Sequence, residues 1–172
     1  EYEVLYKPDD SNAALAEQSM RVLLIGTRKQ LNNNLVERFR DNGSEPFLLE
    51  TKTVSLLRQV GLGETDPTTM IVQIGASAMT IAVVHRGELS FVLSYPEAGD
   101  FMTKALVTCF SLSEENAESY KSTYGLLPDQ ADGKIFNALK PVAEMLVGNI
   151  RNAASFYASK TNNQARIEQV IL

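Results

Sequence analysis

A mixed α/β fold is what this sequence predicts, and three patterns carry the prediction. Three apolar runs, at residues 70–74, 80–85 and 89–95, are separated by short glycine-containing turns and read as an antiparallel meander. Ile135, Leu139, Val142, Leu146, Ile150, Ala153 and Tyr157 recur at steps of three or four, one continuous helical stripe over residues 134–159. A shorter stripe of the same kind, Leu31, Leu35 and Phe39, lies nearer the start. With 172 residues, 44% of them hydrophobic and 22% charged, such elements can bury a core without disulfides or a structural metal.

Taken in order, Tyr2, Val4 and Tyr6 alternate as in a strand, a polar loop follows around Asp9, Asp10, Ser11 and Asn12, and residues 20–26 form a second strand. Thr27 is placed to cap the helix of Leu31, Leu35 and Phe39, and Asn42 with Gly43 closes it. Residues 47–49 read as a short strand and residues 51–60 as a second helix carrying Val54, Leu56 and Leu57. The run from Gly61 through Gly63 and Asp66 to Pro67 gathers glycine, proline and polar residues, so the domain boundary is expected there. In the meander, His85, Arg86, Gly87 and Glu88 signal an ordinary hairpin turn, with His85 on the surface. A helix over residues 101–109 comes next, with Cys109 as a buried small hydrophobe. Another begins behind Ser113, whose hydroxyl suits an N-cap, with Glu114 and Glu115 in the first turn. Pro141 inside the long stripe predicts either a kink or a short helix followed by a longer one. Residues 166–172 close the chain as a strand returning to the sheet.

The charge balance, 16 basic against 21 acidic residues for a net charge of −5, repels phosphate backbones and argues against broad nucleic-acid binding. One cysteine and one histidine make neither an internal disulfide nor a cluster of soft metal ligands. The apolar runs are far shorter than the ~20 residues a membrane span requires. Residues 1–7 do not read as a basic and apolar secretory leader, and a cytoplasmic location is expected. Both ends read as strands cut in midstream, so the chain is expected to be a piece of a longer protein, with open edges at Glu1 and Leu172 available for self-association.

The chemistry is concentrated in the first hairpin turn. Gly75, Ala76, Ser77 and Ala78 are small, so backbone amides there can lie bare, and with Thr80 they can face an anion. The same residues are also compatible with a plain hairpin. Glu118 and Lys121 stand one turn apart on one helix face, where they can grip a ligand or form a simple surface ion pair.

The ordered string Ile71-Val72-Gln73-Ile74-Gly75-Ala76-Ser77-Ala78-Met79-Thr80, then Ala98-Gly99-Asp100, then residues 112–121 and the helix through Ile150-Arg151-Asn152-Ala153, resembles the PilM family of type IV pilus assembly proteins. That family is related to FtsA and more distantly to actin, Hsp70 and sugar kinases. The resemblance implies an actin-like, ribonuclease-H-like lobe with a mixed sheet and flanking helices. Residues 1–62 would be a small α/β subdomain of the first lobe, like subdomain 1C, and residues 68–172 the nucleotide-facing second lobe, like 2A and 2B. It further implies ATP with magnesium in the intact protein. Gly75, Ala76, Ser77 and Thr80 would form a phosphate clamp, Gly99 a point of close backbone approach, and Glu118 and Lys121 the pair flanking adenine and ribose. The partner implied is the cytoplasmic tail of a PilN-like inner-membrane protein. One position departs from the family: the hairpin usually opens with an aspartate that holds the metal's water shell, and here stands Gln73. An amide brings no charge to Mg²⁺, so hydrolysis is expected to be impaired. The expected role is therefore a scaffold that binds nucleotide with little or no turnover; the alternatives are an actin-like ATPase that turns over and an FtsA-type division protein.

Overall fold

A computed structural model of the chain describes residues 2–6, 21–162 and 165–172. The chain divides into two compact units, Glu1–Gly61 and Leu62–Leu172. The expected loop around Asp9 to Asn12 lies outside the described residues.

In the first unit, β1 (Tyr2–Tyr6) pairs antiparallel with β2 (Arg21–Leu24), which is shorter than the run of apolar residues predicts. Helix α1 (Lys29–Asp41) starts after Arg28 rather than Thr27 and has no side-chain cap. At its other end Asn42 folds back, its side chain donating to the Arg38 carbonyl at 2.8 Å. The stripe of Leu31, Leu35 and Phe39 is present but not buried, with exposures of 66%, 43% and 45%. The strand expected at 47–49 does not form. Pro46 supplies no amide donor there, Phe47 is fully exposed, and among the described residues no strand pairs with this stretch. Helix α2 (Lys52–Val60) matches its sequence closely: Thr51 accepts from the Val54 amide at 3.4 Å, and Gly61 ends it at φ 67°, a left-handed conformation glycine adopts without a Cβ clash.

The second unit is built on a four-stranded sheet in the order β5-β4-β3-β6. Strands β3 (Thr69–Ile74), β4 (Met79–His85) and β5 (Glu88–Tyr95) form the meander. Strand β6 (Gln169–Ile171) lies parallel to β3 and is shorter than expected. Met70, Val72, Met79, Ile81 and Val83 share one sheet face and pack with Leu146, Ala153 and Tyr157 of α5 (Lys134–Lys160), helical period meeting strand period. Burial pushes the Tyr157 phenol above its ordinary pKa, and a hydrogen bond with Ser90 opposes the shift. The long helix is a single element. Pro141 is exposed in it, and so is Asn137, whose carbonyl would have met the missing amide.

A second core joins α3 (Gly99–Phe110), α4 (Glu114–Tyr124) and the start of α5 through Leu106, Ala117, Ile135 and Leu139. Cys109 is exposed, not buried, because Leu106 and Phe110 take the inward positions of that turn. His85 is also placed differently from expectation. It ends β4 ahead of the turn made by Arg86 and Gly87, and its Nδ1 lies 2.8 Å from the hydroxyl of buried Thr68. The Thr68 amide in turn donates to the Glu168 carboxylate at 3.1 Å, and the Glu168 amide donates to the Thr68 carbonyl at 2.9 Å, which ties the entry of β6 to that of β3. Among the described residues no helix is long and apolar enough to cross a membrane.

Candidate functional site

The turn between β3 and β4 and the start of α3 meet backbone to backbone. Gly75 N–H donates to the Ala78 carbonyl at 2.9 Å and closes the hairpin. The Gly75 carbonyl then accepts from the Gly99 amide at 3.0 Å, and the Ala76 carbonyl from the Asp100 amide at 2.8 Å. Two donors of the first helical turn, which have no partner inside the helix, are satisfied in this way. The approach depends on Gly99: a Cβ there would stand 3.1 Å from the Gly75 oxygen and 3.6 Å from the Ala76 Cα.

One residue before α4, Ser113 caps the helix by accepting from the Asn116 amide at 3.3 Å. That register directs Glu118 and Lys121 toward α3. Lys121 Nζ lies 2.6 Å from Glu118 Oε2, 2.9 Å from Thr103 Oγ1 and 3.4 Å from the Gly99 carbonyl oxygen. Thr103 also donates to Glu118 at 2.7 Å. The Lys121 ammonium, with help from the Thr103 hydroxyl, holds the Glu118 carboxyl below the usual carboxylate range. Gly75, Ala76, Gly99, Glu118 and Lys121 are thus joined through one short chain of contacts, and Ser77 is exposed at the tip of the turn. Thr80 is placed apart from the helices. It is on the sheet, opposite Gln73 in the ladder, with its hydroxyl 3.3 Å from that of Ser94.

Sequence reasoning overlooked Thr103. Its signal was a hydroxyl one helical turn after Gly99, on the side of α3 that a lysine and a glutamate at an E-x-x-K spacing can reach. Asp100, Lys104, Glu114 and Glu115 were overlooked as well; with Thr103 and Glu118 they line a groove of about 430 Å³ between α3 and α4.

The residues suit an anion better than a metal. No hydrogen bond among the described residues uses the Ala76 or Ser77 amide, so two donors at the turn stay available. Around Gln73 the ladder neighbours are the hydroxyls of Thr80 and Ser94, and the described residues contain no group of three His, Cys, Asp or Glu that would hold a metal ion. A carboxylate-held Mg²⁺ does not fit this set.

The FtsA cell division proteins of Enterococcus hirae and Enterococcus faecalis are 36% and 35% identical over 63 residues, which is 37% of this chain and 14% of theirs. Among solved structures, a PilM–PilN type IV pilus biogenesis complex superposes with a TM-score of 0.74 at 21% identity, covering 91% of this chain and 44% of that one. The ethanolamine utilization protein EutJ of Carboxydothermus hydrogenoformans gives 0.64 at 20% identity, over 77% of this chain and 45% of that one. MreB5 of Spiroplasma citri bound to AMPPNP gives 0.58 at 14%, over 84% and 54%. The fold is therefore actin-like, and the chain spans about half or less of these relatives. The family profile described as type IV pilus assembly protein PilM matches residues 11–172, and the chain belongs to that family.

Proposed function

We propose that this chain supplies the nucleotide-facing second lobe of a cytoplasmic scaffold in type IV pilus assembly. Residues 68–172 are read as its 2A and 2B parts and residues 1–62 as a small 1C-like subdomain of the first lobe. The observation that carries the reading is the junction at Gly99. It seats a turn with two unused amides against a helix start and brings the Glu118–Lys121 pair to the same backbone carbonyl. Charge separates the roles. The turn residues Gly75 to Ala78 are uncharged and their amides suit a phosphate, whereas the α3–α4 groove sets four carboxylates against Lys104 and suits an uncharged base with ribose hydroxyls. ATP, when bound, would supply the polyanion that the turn amides receive. Gln73 in place of a carboxylate supports binding with little or no hydrolysis.

The likeness in fold to a PilM–PilN complex supports a PilN-like cytoplasmic tail as partner, and hence a place at the inner-membrane platform reached through that partner. A fluorescent ATP analogue titrated into the intact protein tests the site. Lys121→Ala, by loss of a charge-assisted contact, and Ser77→Glu, by placing a like charge against the phosphate, are each expected to weaken binding about tenfold or more. Unchanged affinity in both overturns the assignment. Turnover is expected to be near zero; robust hydrolysis by the unmodified intact protein contradicts the scaffold reading.

A further inference from the structure

The outer edge of β5 is the largest unsatisfied backbone surface of the sheet whose hydrogen-bond directions can be worked out residue by residue. Gly75 and Ala78 close the first hairpin as a hydrogen-bonded pair, so by alternation Gln73 with Thr80 and Ile71 with Ala82 are bonded pairs too. The remaining residues of β4, including Met79, Ile81 and Val83, must then turn their amide groups toward β5. Their partners Tyr95, Leu93 and Phe91 point back at β4. Val92 and Ser94 consequently direct their N–H and C=O groups outward. Among the described residues no strand lies beyond β5 and no backbone group takes those bonds.

The pairing shifts between Val83 opposite Phe91 and Val84 opposite Leu89, which makes Ser90 the extra residue of a bulge. The regular edge is therefore Phe91-Val92-Leu93-Ser94-Tyr95, with no charged residue in it. Edges of soluble proteins are ordinarily blunted by charge, and among the described residues this stretch is limited by the bulge at Ser90. Beside it Phe156 of α5 stacks on Phe91 with ring centroids 5.5 Å apart, yet remains 55% exposed.

We infer that this edge pairs antiparallel with the same edge of a second copy, about a two-fold axis through Leu93. In that register Val92 faces Ser94 of the other copy and Ser94 faces Val92, so both outward-pointing residues of each strand become hydrogen-bonded pairs. Phe91 then meets Tyr95 on the helix-covered face, an aromatic cross-strand pair of the favourable kind. Leu93 meets its own copy at a non-hydrogen-bonded position, and the two sheets merge into one of eight strands with both α5 helices on one side. A second copy is the occupant that fits because the segment is self-complementary: one register matches aromatic to aromatic and leaves no outward donor or acceptor of Val92 or Ser94 unused. This does not depend on the nucleotide site.

Sedimentation of the full chain over a range of concentrations tests the inference, with two variants. Val92 is 41% exposed, so Val92→Lys leaves the core intact and is expected to weaken dimerisation about tenfold or more by placing a charge on the edge. In a Cys109→Ser background, Leu93→Cys is expected to form an intermolecular disulfide. A non-hydrogen-bonded pair sets Cα atoms about 4.5 Å apart, within the range a disulfide spans. Association that ignores Val92→Lys, a cross-link at Ser90→Cys but not at Leu93→Cys, or a single-copy mass at all concentrations overturns the proposal. So does a monomer whose β5 edge pairs only with an unrelated extended peptide.

Discussion

Replacing Gly99 tests whether the contact between the hairpin and α3 is as tight as the backbone geometry states. A Cβ at this position meets the Gly75 oxygen at 3.1 Å, whereas ordinary contact begins near 3.4 Å, so the turn and the helix must separate by about 0.3 Å. That movement acts directly on the hydrogen bonds of 3.0 Å and 2.8 Å between them. Each such bond contributes about 1 kcal/mol net, and stretching both by this amount forfeits part of each, for a cost of about 1 kcal/mol in Gly99→Ala. The helix-propensity gain of alanine offsets little, because Gly99 is the first residue of α3. In Gly99→Val the branched side chain adds an overpacking cost, for a total of about 2–3 kcal/mol. Urea unfolding is the assay, read as a lower midpoint at constant slope. Finding Gly99→Val within about 0.5 kcal/mol of the unmodified chain would falsify the claim that the two backbones are in contact.

Other outcomes follow from the same structure. Leu139→Ala empties a fully buried position in the α3–α4–α5 core and is expected to cost about 2–5 kcal/mol in denaturant unfolding. Thr51→Ala removes the N-cap of α2 and is expected to cost about 1 kcal/mol, visible as lost helicity or a lower midpoint. The Glu118 carboxyl has a lowered pKa when folded, so its contribution to stability is complete above its unfolded value near 4.5 and disappears as pH falls through the folded value. An NMR titration is expected to show that lowered value, and Lys121→Met to bring it back toward the ordinary one; no change in Lys121→Met refutes the assigned cause. Tyr157 has a raised pKa, so its contribution is present below about pH 10 and is lost as pH rises through the folded value. Phenolate absorbance is expected to show a step above the ordinary phenol value near 10 that is lost in Tyr157→Phe.

The meander and α5 were legible because burial imposes the period: Met70, Val72, Ile81 and Val83 alternate against one helix stripe that carries Leu146, Ala153 and Tyr157. Caps were legible wherever a side chain makes the bond, as at Thr51 and Ser113, and illegible at Arg28, where none does. The same stripe logic mispredicts α1, whose leucines are apolar at helical spacing yet exposed; periodicity states which face is apolar, not what covers it. Residues 47–49 have strand composition but no pairing partner, and a strand exists only as a member of a ladder. At the site, the turn and the E-x-x-K pair could be read from spacing. What joins them could not, since the Gly99 carbonyl and the Thr103 hydroxyl act through positions brought together by packing.

Hydrogen exchange on the intact protein with and without ATP addresses most directly whether these residues form half of a nucleotide cleft. ATP is expected to slow exchange at the Ala76 and Ser77 amides, which no acceptor among the described residues takes up, and over the starts of α3 and α4. Protection confined to other parts of the chain, or none at saturating ATP, contradicts it.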